Sequence, residues 1–126
     1  MSGKRILVVD DEEIIRVSCR KCLKPEGYEV DAASNGIEGM ELITRSGNSY
    51  DLILTDLKMP DMDGMEFLAR VKEAQPGAKV IMITGYNTVE YAVKAIKLGA
   101  YNYIEKPFTP DFLITAVKEA LEAPEC

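Results

Sequence analysis

Five short apolar runs recur along the chain, and each is followed by a stretch with helical spacing. Ile6-Leu7-Val8-Val9, Leu52-Ile53-Leu54 and Val80-Ile81-Met82-Ile83 are apolar without alternation, as expected of strands buried on both faces of a parallel sheet. Tyr28 to Ala33 alternates and predicts a strand with one less buried face; Tyr101 to Glu105 predicts a short fifth strand. The first helix begins at Glu12-Glu13, acids well placed against its positive end. It buries Ile15, Cys19, Cys22 and Leu23, with Ile14 flanking and Ser18 as the polar member of that face, and stops at Pro25 and Gly27.

The second helix is capped by Ser34 or Asn35, since Glu38 follows Asn35 at a capping-box spacing, and runs to about Arg45 before a loop at Ser46-Gly47-Asn48-Ser49. Asp63 caps a third helix from Gly64 to Ala74 with Met65, Leu68 and Val71 inward, broken by Gln75-Pro76-Gly77. Asn87 with Glu90 marks the start of a fourth, with Val89, Ala92, Val93 and Ile96 as its buried stripe and Gly99 as its stop. Thr109 caps the fifth, with Pro110 at its first position. Phe112, Leu113, Ala116, Val117, Ala120 and Leu121 line its inner face, and Pro124 ends it.

Strands alternating with helices in this way predict an α/β fold, a doubly wound five-stranded parallel sheet with five helices covering both faces. Right-handed crossovers restrict the strand order to a few arrangements. The 126 residues are enough for one domain, so residues 1–126 are read as a single domain, either a whole small protein or a domain excised from a larger one. A net charge of −6 argues against holding nucleic acid on a basic face and against an anionic membrane surface. No apolar run approaches the ~20 residues of a membrane span. Met1-Ser2-Gly3-Lys4-Arg5 leads into only a short apolar run and then acids, which is no signal peptide. A cytoplasmic protein is expected.

Cys19 and Cys22 form a C-x-x-C. A zinc site would need partners, but the chain has no histidine and only Cys126 remains. A redox pair would sit at a helix N-terminus. Both are therefore read as small apolar members of the buried stripe.

The chemistry gathers at the strand ends. Asp10 and Asp11 end the first strand, Asp56 the third and Thr84 the fourth, while Lys106 follows the fifth. In a parallel sheet these ends share one edge, where open α/β sheets bind their ligands. Taken singly, each residue reads as a helix cap or a solvated loop side chain. Together, three crowded carboxylates resist ionising at once, and a divalent cation with hard oxygen ligands, Mg²⁺ above all, relieves that conflict. The Thr84 hydroxyl and the Lys106 charge suit the oxygens of a phosphoryl group, whose transfer needs positioning and neutralisation. A carboxylate can itself be the nucleophile.

This set, Asp10-Asp11, Asp56, Thr84 and Lys106-Pro107, resembles in order and spacing the receiver domain of bacterial two-component response regulators, from Ile6 to Leu121. The resemblance implies a flavodoxin-like sheet of order 2-1-3-4-5. It makes Asp56 the phosphoacceptor, served by a phosphohistidine of a sensor histidine kinase or phosphotransfer protein. Asp11, Asp56 and the backbone carbonyl of Lys58 would ligate Mg²⁺ (or Mn²⁺), with Asp10 acting mainly through a metal-bound water. Lys106 would contact the phosphoryl oxygens, and the Lys106-Pro107 bond would be cis. Thr84 and Tyr103 would move inward as a switch, although the residues alone favour plain packing for Tyr103. Lys58 and Tyr86 would tune self-dephosphorylation and, being bulky, slow it.

The same resemblance implies signalling through the face formed by the fourth helix, fifth strand and fifth helix, where a homodimer can form. It leaves room for an attached output domain, as in receivers of transcription activators, or for a stand-alone form, with no direct nucleic acid or membrane binding by this domain. The rival is a receiver-like protein–protein interaction module not controlled by phosphorylation. A flavodoxin would place its phosphate loop after the first strand, where this chain has acids. A haloacid-dehalogenase-type phosphatase would want an acid where Lys58 stands.

Overall fold

A computed structural model describes residues 4–45, 49–85 and 88–122. Along the chain run β1 (Arg5–Val9), α1 (Glu13–Leu23), a 3-10 turn (Lys24–Glu26), β2 (Glu29–Ala33), α2 (Gly36–Thr44), β3 (Leu52–Thr55), α3 (Gly64–Ala74), β4 (Lys79–Thr84), α4 (Val89–Lys97), β5 (Asn102–Glu105) and α5 (Pro110–Glu122). The strands form one sheet of order β2-β1-β3-β4-β5, and every neighbouring pair is parallel. The doubly wound α/β fold and its 2-1-3-4-5 order are those expected. Residues Ser46, Gly47, Asn48, Tyr86, Asn87, Pro124 and Cys126, which carried expectations, lie outside the described residues.

Alternate side chains of a strand point to opposite faces, and here both faces are covered. Ile6, Val8, Leu52, Leu54, Ile81 and Ile83 pack with Cys19 and Leu23 of α1 and Leu113 and Val117 of α5. Leu7, Val9, Ile53, Val80 and Met82 pack on the other face with Ile43 of α2, Phe67, Leu68 and Val71 of α3 and Ala95 of α4. This explains the unalternating apolar runs: no strand residue there has a polar face to supply. Each fully buried Leu, Ile or Phe contributes about 1.5–3 kcal/mol. Cys19 is buried and Cys22 half-buried, and both are free thiols in this layer.

The helix starts follow the side-chain chemistry. Asn35 Oδ1 accepts from Glu38 N at 2.8 Å, while Glu38 Oε1 accepts from Ser34 N at 2.7 Å, so both residues considered for that cap take part. Asp63 Oδ1 accepts from Met65 N at 2.8 Å and Thr109 Oγ1 from Phe112 N at 3.1 Å. Gly27 (φ 97°) and Gly99 (φ 110°) turn the chain after α1 and α4 in a conformation that suits glycine.

α4 begins at Val89 and is capped by Thr88, whose Oγ1 accepts from Tyr91 N at 3.2 Å; Asn87, expected with Glu90 at this helix start, lies outside the described residues. Two expectations need correction. The stripe of α4 is rotated: Val89 is 78% exposed, Val93 45% and Ile96 49%, while Ala95 is buried. α4 is apolar on more than one face, and the face it lays on the sheet is the one with small residues. In α5, Phe112 is 56% exposed; it lies about a quarter of a turn off the centre of the stripe of Leu113, Ala116, Val117 and Ala120, which fills the interface without it.

Candidate phosphoryl and metal site

The parallel ladder continues one residue past β1 and β3. Asp10 N donates to Ala33 O, and Asp56 N donates to Val9 O, each at 3.1 Å. Those bonds fix the backbone of both acids at the carboxyl edge of the sheet, with their side chains buried. Asp11, one residue further, is exposed. One carboxylate oxygen from each of Asp10, Asp11 and Asp56 lies within 4.8 Å of the others.

Lys106 Nζ enters from the loop after β5. It lies 2.9 Å from Asp10 Oδ2, 3.0 Å from Glu12 Oε1 and 3.1 Å from Asp56 Oδ2. Its own amide donates to Thr84 O at 2.9 Å, and the Lys106–Pro107 peptide is cis. Asp56 Oδ1 accepts from Leu57 N at 2.7 Å and Lys58 N at 3.4 Å, so backbone N–H groups orient one oxygen and Lys106 meets the other.

The charges are unequally served. Burial pulls the Lys106 ammonium down, but its bonds to Asp10 and Glu12 and the charges of Asp10 and Asp56 outweigh this and carry it above the usual lysine range. Burial pushes Asp10 up, only partly offset by the Glu12 N–H and Lys106, and the nearby Asp56 charge pushes the same way. The difference is physical: Lys106 answers three carboxylates, whereas Asp10 shares a single ammonium with its neighbours. The surplus of hard oxygen donors fits a divalent cation.

Thr84 ends β4 and is fully buried. Tyr103 lies in β5 opposite Met82 of β4, half-buried against the core layer that holds Ala95 and Ala100. Burial, then the Tyr91 and Asp56 charges, raise its hydroxyl above the usual range. Lys58 is exposed on the loop after Asp56; Tyr86 is outside the described residues.

Three participants were not foreseen. Glu12, read only as a helix start, places its carboxylate on Lys106; it follows Asp10-Asp11 directly, which was a usable signal. Arg16 Nη1 donates to the Asp10 carbonyl at 2.7 Å. Gly64 N donates to Leu57 O at 2.8 Å and brings α3 so close that a Cβ on Gly64 would meet Asp56 O at 2.5 Å.

Comparison with known proteins points one way. A family model described as the response regulator receiver domain matches residues 6–118. A putative response regulator NtrX-like of Rickettsia bellii (strain RML369-C) is 40% identical over 97% of this chain and 26% of its own length. The chain thus spans about a quarter of that relative. Sporulation initiation phosphotransferase F of Bacillus subtilis (strain 168) is 36% identical over 96% of both chains. The crystal structure of a CheY-like response regulator receiver domain protein from Methanospirillum hungatei JF-1 superposes with a TM-score of 0.89 at 42% identity, covering 94% of each chain.

Proposed function

The chain belongs to the response regulator receiver domain family, and from that membership we propose that Asp56 accepts a phosphoryl group from a phosphohistidine of a sensor kinase or phosphotransfer protein. The Asp56 carboxylate attacks phosphorus, the P–N bond breaks, and its electron pair stays on the donor imidazole, which takes a proton from water. An acyl phosphate forms on Asp56. The observation that carries this reading is the convergence of Asp10, Asp11 and Asp56 with Lys106 at one sheet edge.

Asp11, Asp56 and the Lys58 carbonyl would hold Mg²⁺ (or Mn²⁺), with Asp10 reached through water. The cation would neutralise charge shared by the acids and the incoming phosphoryl oxygens. Lys106 leaves the Asp56 carboxylate to contact those oxygens, and the Leu57 and Lys58 amides hold the carboxylate in line. Thr84 and Tyr103 form the switch, which biases a two-state equilibrium of the surface around α4, β5 and α5. The exposed Val89, Val93 and Ile96 on α4 suit that surface to a protein partner or a second copy. Lys58 and Tyr86 shield the acyl phosphate and give slow self-dephosphorylation.

The unit is one receiver domain that works in the cytoplasm as a signalling switch, either standing alone or with an output domain attached as in longer relatives. It is not a turnover enzyme and itself binds neither nucleic acid nor membrane.

The test is intact mass after incubation with a small acyl-phosphate donor, with and without Mg²⁺, for wild type and Asp56→Asn. One Mg²⁺-dependent phosphoryl adduct, absent in the variant, is expected. No adduct under any condition would favour the alternative, an interaction module not controlled by phosphorylation.

A further inference from the structure

The loop from Leu57 to Asp63 carries the Lys58 carbonyl, and the side chain that fastens its middle is Asp61. Asp61 Oδ1 accepts from Gly36 N at 3.1 Å and Oδ2 from Ile37 N at 2.8 Å. These are two of the N–H groups that a helix start leaves without an intrahelical partner. Asn35, the helix's own cap, satisfies the next one, Glu38 N. The α2 N-terminus is thus shared between a local cap and a carboxylate from the acceptor loop, an arrangement that the helix dipole favours.

A second contact reinforces the first. A Cβ on Gly36 would lie 2.9 Å from Met62 Cβ, so α2 and the loop touch where any side chain would force them apart. Burial pulls the Asp61 carboxyl up, but the Ile37 and Gly36 amides outweigh it and hold it below the usual carboxylate range. The other end of the loop is held by Gly64 N on Leu57 O. Between these two anchors the backbone of Lys58 has little freedom to retreat from Asp56.

We propose that Asp61 is a positioning residue for the metal site: by docking the acceptor loop on the α2 N-terminus, it fixes the Lys58 carbonyl for the cation. This rests on the receiver reading above. The competing account is that Asp61 only caps α2. Asn35 separates the two, because its side chain caps the same helix turn and, among the described residues, makes no hydrogen bond to the loop.

The experiment is calorimetric titration of Mg²⁺ alone into wild type, Asp61→Ala, Asp61→Asn, Gly36→Ala and Asn35→Ala, with the Tm of each. Amide hydrogen exchange of Leu57 and Lys58 is followed in the metal-free proteins. Asp61→Ala should weaken Mg²⁺ binding about tenfold, as loss of a supporting partner does at metal sites, and speed exchange at Leu57 and Lys58. Gly36→Ala should act in the same direction, and Asp61→Asn, which keeps one acceptor, should fall between. Asn35→Ala should lower Tm and leave Mg²⁺ affinity unchanged.

Wild-type affinity in Asp61→Asn and Gly36→Ala, or an equal loss in Asn35→Ala, would overturn the proposal while leaving the receiver reading intact. A wild type that neither binds Mg²⁺ nor takes a phosphoryl group would overturn both.

Discussion

Lys106 Nζ lies 2.9 Å from the buried carboxylate of Asp10, and this contact joins the loop after β5 to the end of β1 across the β3 and β4 strand ends. The same ammonium reaches Glu12 and Asp56. In the absence of a cation it is the charge that keeps the carboxylates together.

Replacing Lys106 by Met should therefore destabilise the metal-free protein by about 1–3 kcal/mol, the cost of leaving buried polar groups without their partner. Added Mg²⁺ should recover part of that loss. The Mg²⁺-induced rise in Tm should be larger for Lys106→Met than for wild type, because the cation and the ammonium answer the same carboxylates. Equal rises in both proteins would mean that the two charges serve different groups.

Gly64→Ala tests the close approach behind Asp56. The added Cβ would meet Asp56 O at 2.5 Å and Leu57 Cα at 2.7 Å, and backbone atoms cannot swing aside as a long side chain can. Overpacking of this kind costs about 1–3 kcal/mol. Denaturant unfolding should show that loss, and phosphoryl uptake at Asp56 should slow, since relief requires the acceptor loop to shift. Unchanged stability and uptake would place the strain elsewhere.

Much of this was legible in the sequence because it is local. The unalternating runs mark strands with two buried faces, and Asp10, Asp56 and Thr84 each sit directly at a strand end, so the topology alone brings them to one edge. Residue spacing does not say which of two apolar faces a helix will use. Val89, Val93 and Ile96 fit a stripe as well as Ala95 does, and the sheet's demand for small side chains decided between them. Nor does spacing register contacts between distant segments. Glu12 and Lys106 are 94 residues apart, and Gly36 and Asp61 are 25 apart; each pair becomes neighbours only once the sheet is built.

Tyr50 provides a control away from the site. Its hydroxyl donates to Asp31 Oδ2 at 2.7 Å, the same oxygen that Arg5 Nη2 meets at 3.0 Å, and the Arg5 guanidinium lies 5.2 Å from the centre of its ring. Tyr50 precedes β3, so its backbone lies at the sheet edge opposite Asp56. Tyr50→Phe keeps the ring and removes one hydrogen bond to a charged acceptor. The expected loss is about 1.5–3 kcal/mol by chemical denaturation, with phosphoryl uptake at Asp56 unchanged. A change in uptake would reveal coupling along β3 that the packing gives no reason to expect.

The pH dependence of stability follows from groups that hold their protons more tightly when folded. Burial, then the negative charges of Cys22 and Asp10, pushes the Cys19 thiol from 9.0 to about 12. Burial, then the hydrogen bond to Asp31, pushes the Tyr50 hydroxyl from 10.0 to about 12. In both cases the unfolded chain ionises first, so the native state binds more protons and stability falls as pH rises. The fall begins near the unfolded values and continues until the folded values are reached. Lys106, raised above the usual lysine range, acts in the same direction: its contribution is complete below that range and is lost above it. Each such group removes about 1.4 kcal/mol per pH unit within its window, a large fraction of the ~5–15 kcal/mol that holds a domain folded. Cooperative alkaline unfolding is therefore expected between pH 9 and 12, followed by circular dichroism. Cys19→Ala lowers overall stability by leaving a cavity, yet should flatten the slope of stability against pH in the lower part of that window. A slope identical to wild type would show that the thiol ionises as easily in the core as in water.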